Sequence, residues 1–157
     1  MRKVMMVLGT LLLAGAVHAG AEPTCVLSAQ NLALPPYVWT SPAVTTRLPL
    51  ARVSCSADVP QNVSVSAALS LGVGTVRALQ GPQGVLAYTV AVRGTEVSPE
   101  QPWGDGTAGT VVFTRTLNTL STPEVDVIPV WTILPGQQVA SGDYTDTLTL
   151  TLTIVAP

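Results

Sequence analysis

The sequence predicts an all-β domain, a sandwich of short strands, and three observations carry that expectation. No stretch spaces its apolar residues as an amphipathic helix would. Several segments alternate apolar and polar residues with period two, each bounded by glycine or proline. The most regular of them closes the chain: Leu148, Leu150, Leu152 and Ile154 alternate with Thr147, Thr149, Thr151 and Thr153. Interleaved threonine disfavours helix, where its branched side chain loses freedom, and suits a pleated surface. The leucine face is therefore expected on a core and the threonine face outside it.

From the start of the chain, residues 1–21 read as a secretory signal peptide, with cleavage after Ala19 or Ala21. Arg2 and Lys3 supply the positive start and Val4 to Val17 a short apolar run, too short for a membrane anchor. Residues 22–157 are then a single exported domain, large enough to bury a core. Cys25 and Cys55 are the only cysteines; an even number behind a leader reads as a disulfide. Between them Pro35, Pro36, Pro42 and Pro49 confine the chain to short edge strands and turns. Val63, Val65, Ala67, Leu69 and Leu71 form the next alternating segment, ended by Gly72 and Gly74. Leu86, Tyr88, Val90 and Val92 form another, between Gly81-Pro82 and Gly94. Val111 and Phe113 belong to a third, and Val125 to Leu134 to a fourth in which Pro129 marks an edge or bulge.

Loss of the leader removes every Met, Lys and His of the chain and leaves five arginines against nine carboxylates. An acidic chain of this kind has no basic patch for nucleic acid or for an anionic membrane. It also lacks a histidine or lysine base for a serine nucleophile, so no enzyme is expected. Glu124 with Asp126, and Asp143 with Asp146, are the candidate carboxylate pairs; solvated strand ends and turns account for both. Asp105, between Gly104 and Gly106, is a weak calcium signal. Asn62-Val63-Ser64 matches a glycosylation sequon and reads as the start of a strand. Trp39, Trp103 and Trp131 would make a sugar platform only if exposed together; as single residues they read as packing. No cofactor or metal is implied.

Trp103-Gly104-Asp105-Gly106-Thr107, Pro135-Gly136-Gln137-Gln138 and Gly142-Asp143-Tyr144-Thr145-Asp146, followed by the alternating last strand, resemble the spore coat protein U family. Val53-Ser54-Cys55, Arg77, and Leu86 with Tyr88 stand upstream in that family's order. The family includes subunits of archaic chaperone–usher pili. The resemblance implies an incomplete immunoglobulin-like sandwich whose vacant edge and apolar groove accept a donor strand. The implied partners are a periplasmic chaperone, an outer-membrane usher and sister subunits, with passage through the periplasm and then a cell-surface or extracellular location. Leu148, Leu150, Leu152 and Ile154 would line the groove. Two departures stand out. Leu34-Pro35-Pro36-Tyr37 replaces the Phe-Gly that the family often carries before a tyrosine, and at most Gly20 to Thr24 precedes Cys25. So short a segment cannot fill a groove that a whole strand occupies. The reading is a pilus or coat subunit that accepts a strand, gives none and is terminal. The alternative is a self-contained secreted module or small adhesin that recognises a surface or glycan.

Overall fold

The structure, a computed structural model, describes residues 6–8, 22–70 and 75–155. The described residues form strands and no helix. In chain order these are β1 (Met6–Leu8), β2 (Thr24–Ala29), β3 (Val44–Arg47), β4 (Ala51–Ser56), β5 (Asn62–Leu69), β6 (Val76–Gly81) and β7 (Gly84–Arg93). They continue as β8 (Glu100–Pro102), β9 (Phe113–Asn118), β10 (Glu124–Val127), β11 (Val130–Ile133), β12 (Asp146–Leu148) and β13 (Leu150–Val155). The signal peptide expected over 1–21 lies outside the described residues, apart from the backbone of β1.

The strands pair into small antiparallel sheets wrapped around one core. One sheet has the order β10-β4-β2, a second β3-β11-β7-β6 with β8 added on β7, and a third β13-β5-β9. Among the described strands, β1 pairs in parallel, along β12. The alternating segments fall where period two puts them. Val63, Val65, Ala67 and Leu69 of β5 are buried, as are Leu86, Tyr88, Val90 and Val92 of β7, while the residues between them are only partly covered. At the centre the rings of Tyr88 and Trp131 lie stacked at 6.2 Å between centroids. Cys25 and Cys55 are bonded and stand directly opposite each other across β2 and β4.

Two expectations need correction. Val125 to Leu134 is two strands, not one: β10 pairs with β4 in one sheet, and β11 sits between β3 and β7 in another. Pro129 lies at the crossing, where the missing N–H costs no ladder bond. The region between the cysteines holds an edge strand, β3, as expected, but also β4, central in its sheet. No proline falls inside β4; Pro49 stands two residues before it. Beyond these, β6 forms over Val76–Gly81, where the adjacent apolar Ala78 and Leu79 break the period-two pattern. It turns into β7 through Gly81-Pro82-Gln83-Gly84, with Gly84 at φ 124°.

The disulfide closes a loop over a sequence separation of 30. A Cys25→Ala/Cys55→Ala double variant is expected to lose about 3–4 kcal/mol through the greater freedom of its unfolded chain. Urea titrations of oxidised wild type and variant measure the difference.

Candidate functional site, the edge of the C-terminal strand

The last strand separates its faces as the alternation requires. Leu148, Leu150 and Leu152 are buried and Ile154 packs half-buried against the same core, whereas Thr147, Thr149, Thr151 and Thr153 are exposed. The run is interrupted once, at Thr149, between β12 and β13. On one side β13 pairs with β5 over six residues, from Leu150 opposite Leu69 to Val155 opposite Ser64. The carbonyl of Thr149 accepts the amide of Ser70 at 2.8 Å, and Thr145 exchanges both backbone bonds with Gln80. In an antiparallel ladder successive residues turn their N–H and C=O to opposite sides. Thr145, Thr149, Thr151 and Thr153 thus face β6 and β5, while Asp146, Leu148, Leu150, Leu152 and Ile154 face the other edge.

That second edge is paired over only part of its length. β1 runs parallel to β12, with Met6, Val7 and Leu8 opposite Asp146, Thr147 and Leu148. Beside β13 no strand among the described residues pairs with it. A row of amides and carbonyls without a strand partner among the described residues, above a leucine-lined core, is a template for one more strand.

The motif Gly142 to Asp146 docks this strand on the β6–β7 hairpin. Gly142 lies against Pro82, and a Cβ on Gly81 would overlap the ring of Tyr144. The Tyr144 hydroxyl donates to the carbonyl of Ala140 at 2.8 Å. Asp146, taken from the sequence as a turn former beside Asp143, has a further part. It accepts the hydroxyl of the buried Tyr88 at 2.6 Å. Arg77, directly across from Tyr88 in the hairpin, is itself buried and donates to the carbonyl of Ser70. Burial, then the hydrogen bond and charge of Asp146, push the Tyr88 phenol far above its ordinary pKa. Burial lowers that of Arg77, against the opposing pull of Tyr88 and Asp146.

The other motifs are also structural. Trp103 is buried with its indole N–H on the carbonyl of Ala67 at 3.0 Å, and Gly104 lies against Thr110 where a Cβ would overlap. Asp105 caps its own turn. Its carboxylate accepts from the hydroxyl and amide of Thr107, which hold it below the usual carboxylate range. Gln137 works as a surrogate backbone: its amide oxygen accepts from Ala87 N–H at 2.6 Å and its nitrogen donates to Ala87 O at 2.9 Å. Its own N–H donates to the hydroxyl of Tyr37 at 2.7 Å, and Leu34 is buried as a core residue. Glu124 and Asp126 share a face but lie on Arg52 across the strand, Asp126 in a two-point pair at 2.7 and 3.1 Å. Asn62 opens β5 and accepts from the side chain of Asn118. Trp131 is buried and Trp39 exposed, so the tryptophans form no common surface. Among the described residues no three His, Cys, Asp or Glu side chains group as metal ligands.

The raised Tyr88 pKa has a sign. The folded state favours the protonated phenol, so this stability is complete below the unfolded-state value of about 10 and is lost as pH rises beyond it. Wild type is expected to weaken above that pH, and Tyr88→Phe to flatten the decline while costing about 1.5–3 kcal/mol at neutral pH. Denaturation midpoints measured across alkaline pH check both.

Set against known proteins, residues 12–151 match the model of the Spore Coat Protein U domain. No curated protein matches the chain significantly. The match spans most of the chain, including the docking motif, the Trp103 turn and the start of the last strand. The chain belongs to the Spore Coat Protein U domain family, a family of structural domains of pilus- or coat-like surface assemblies.

Proposed function

We propose that this protein is an exported, non-enzymatic subunit that accepts a donor strand along the outer edge of β13. The observation that carries the reading is the run of outward backbone groups at Leu150, Leu152 and Ile154, beside a buried leucine face and without a strand partner among the described residues. An extended segment already lies at the start of the same edge, where β1 runs along β12. In this reading β1 belongs to the leader, so cleavage after Ala19 or Ala21 frees that stretch too. A strand added here would gain main-chain bonds along its length and insert alternate side chains over Leu148, Leu150, Leu152 and Ile154.

The donors are a periplasmic chaperone first and a sister subunit later, at an outer-membrane usher, as membership of a pilus and coat family suggests. At most the residues Gly20 to Thr24 stand between the cleavage site, after Ala19 or Ala21, and Cys25. They are too few to reciprocate, which favours a terminal place in the assembly. The alternative, a self-contained glycan-binding adhesin, draws little support from a single exposed tryptophan.

The two faces of the strand provide the test. Leu150→Asp is expected to abolish recovery of a complex with chaperone or donor subunit on co-expression. Truncating a buried leucine costs about 2–5 kcal/mol, and the unpaired carboxylate adds to that. Thr151→Lys, on the exposed face, is expected to leave recovery nearly intact. Equal loss in both variants would contradict the reading.

A further inference from the structure

Four of the five arginines that follow the leader lie in one region of the surface, remote in sequence from the last strand. Arg47 on β3, Arg93 on β7 and Arg115 on β9 line a depression of about 120 Å³. Arg52 stands just outside it, paired to Asp126. Two carboxylates, Glu100 and Asp126, also line the hollow, and both are already engaged. Glu100 is ion-paired with Arg47, and Asp126 with Arg52. Glu96 acts on Arg115 through its field alone and bonds neither Arg93 nor Arg115.

The two remaining guanidinium groups differ in a useful way. Arg115 is held in place: its Nη1 donates to the carbonyls of Thr114 at 2.6 Å and Gly94 at 3.1 Å. Its guanidinium carbon lies 4.3 Å from the centre of the Phe113 ring. Nε and Nη2 of Arg115 make no hydrogen bond to any described residue. Arg93 is exposed and makes no ion pair with any described residue. A fixed fork beside an adaptable one, next to the exposed Ile128, is a receptor for an anion with a small apolar body. With Arg52, Glu124 and Glu96 counted in, four arginines stand against four carboxylates, so two forks without an ion pair among the described residues, and without a net excess of charge, suit a monoanion better than sulfate or phosphate.

We infer that this depression binds a small organic carboxylate, free or at the end of a larger ligand, with Arg93 and Arg115 taking its oxygens. The site shares no residue with β12 or β13, so it stands or falls independently of strand acceptance.

Nuclear magnetic resonance of the full chain, labelled on nitrogen, tests this with acetate, glucuronate, glucose and sulfate at matched ionic strength. Side-chain Nε–Hε signals of Arg93 and Arg115 are expected to move saturably with acetate and glucuronate and to stay put with glucose. Arg93→Gln is expected to weaken binding about tenfold or more, the effect of losing one charge-assisted bond. Its thermal midpoint should not change, because the exposed Arg93 side chain carries no ion pair to any described residue. Tighter binding of glucuronate than acetate would point to acidic sugars as the source, and the reverse to simple acids. Equal movement with sulfate would mean general ion screening and overturn the inference. So would unchanged affinity in Arg93→Gln.

Discussion

A strand that buries one face against a core must also find partners for two edges, and among the described residues β13 meets that demand on one side only. Burial of Leu148, Leu150 and Leu152 fixes the strand's position. The ladder to β5 satisfies the backbone of Thr149, Thr151 and Thr153. The backbone groups of the residues between them are turned outward by the same geometry, and nothing about the leucine face can be changed to hide them. Isolated proteins blunt such edges with charge, proline or a bulge. Here the edge side of β13 is a run of leucine, isoleucine and threonine without a charge.

Much of the rest of the molecule serves to hold that strand where it is. The hairpin of β6 and β7 takes the approach to it, through Gly142 on Pro82, Tyr144 on Gly81 and the paired bonds of Thr145 with Gln80. The buried Tyr88 then receives the half-buried Asp146 through a hydrogen bond, with the buried Arg77 acting on both through its charge. Polar groups at such a depth are costly unless fully bonded, and among the described residues no buried side-chain nitrogen or oxygen lacks a partner. Because that cluster is directional where leucine packing is not, it sets the register at which the strand begins. The strand is thus anchored at its start within the chain itself, and the donor we propose need supply only the outer edge.

The sequence made the faces of the strands legible wherever one face meets water, because period two then survives in the residues themselves. Thr147 to Ile154 and Val63 to Leu69 are cases, with the core side assigned residue by residue. β6 escaped notice because Val76 is exposed and the buried Arg77 reads as polar, so the pattern runs against the burial. Pro129 was visible as a disturbance, but whether a proline bulges a strand or hands the chain to another sheet depends on tertiary pairing. The motif around Asp146 was recognisable as a family signature while its physics was not: the partner, Tyr88, lies 58 residues away and only the register of β6 with β7 brings it there. The arginine-lined hollow had no sequence signal, since its members come from separate strands.

Amide hydrogen exchange along the last strand puts the account to its most direct test. In the subunit without a donor, the amides of Thr151 and Thr153, bonded to β5, should be protected, and those of Leu150, Leu152 and Ile154 should exchange freely. On adding a donor strand the second set should become protected while the first changes little. Alternating protection that collapses into uniform protection is the predicted result. Protection of Leu150, Leu152 and Ile154 in the isolated chain, unchanged by any donor, would contradict it and mean that the sandwich completes itself.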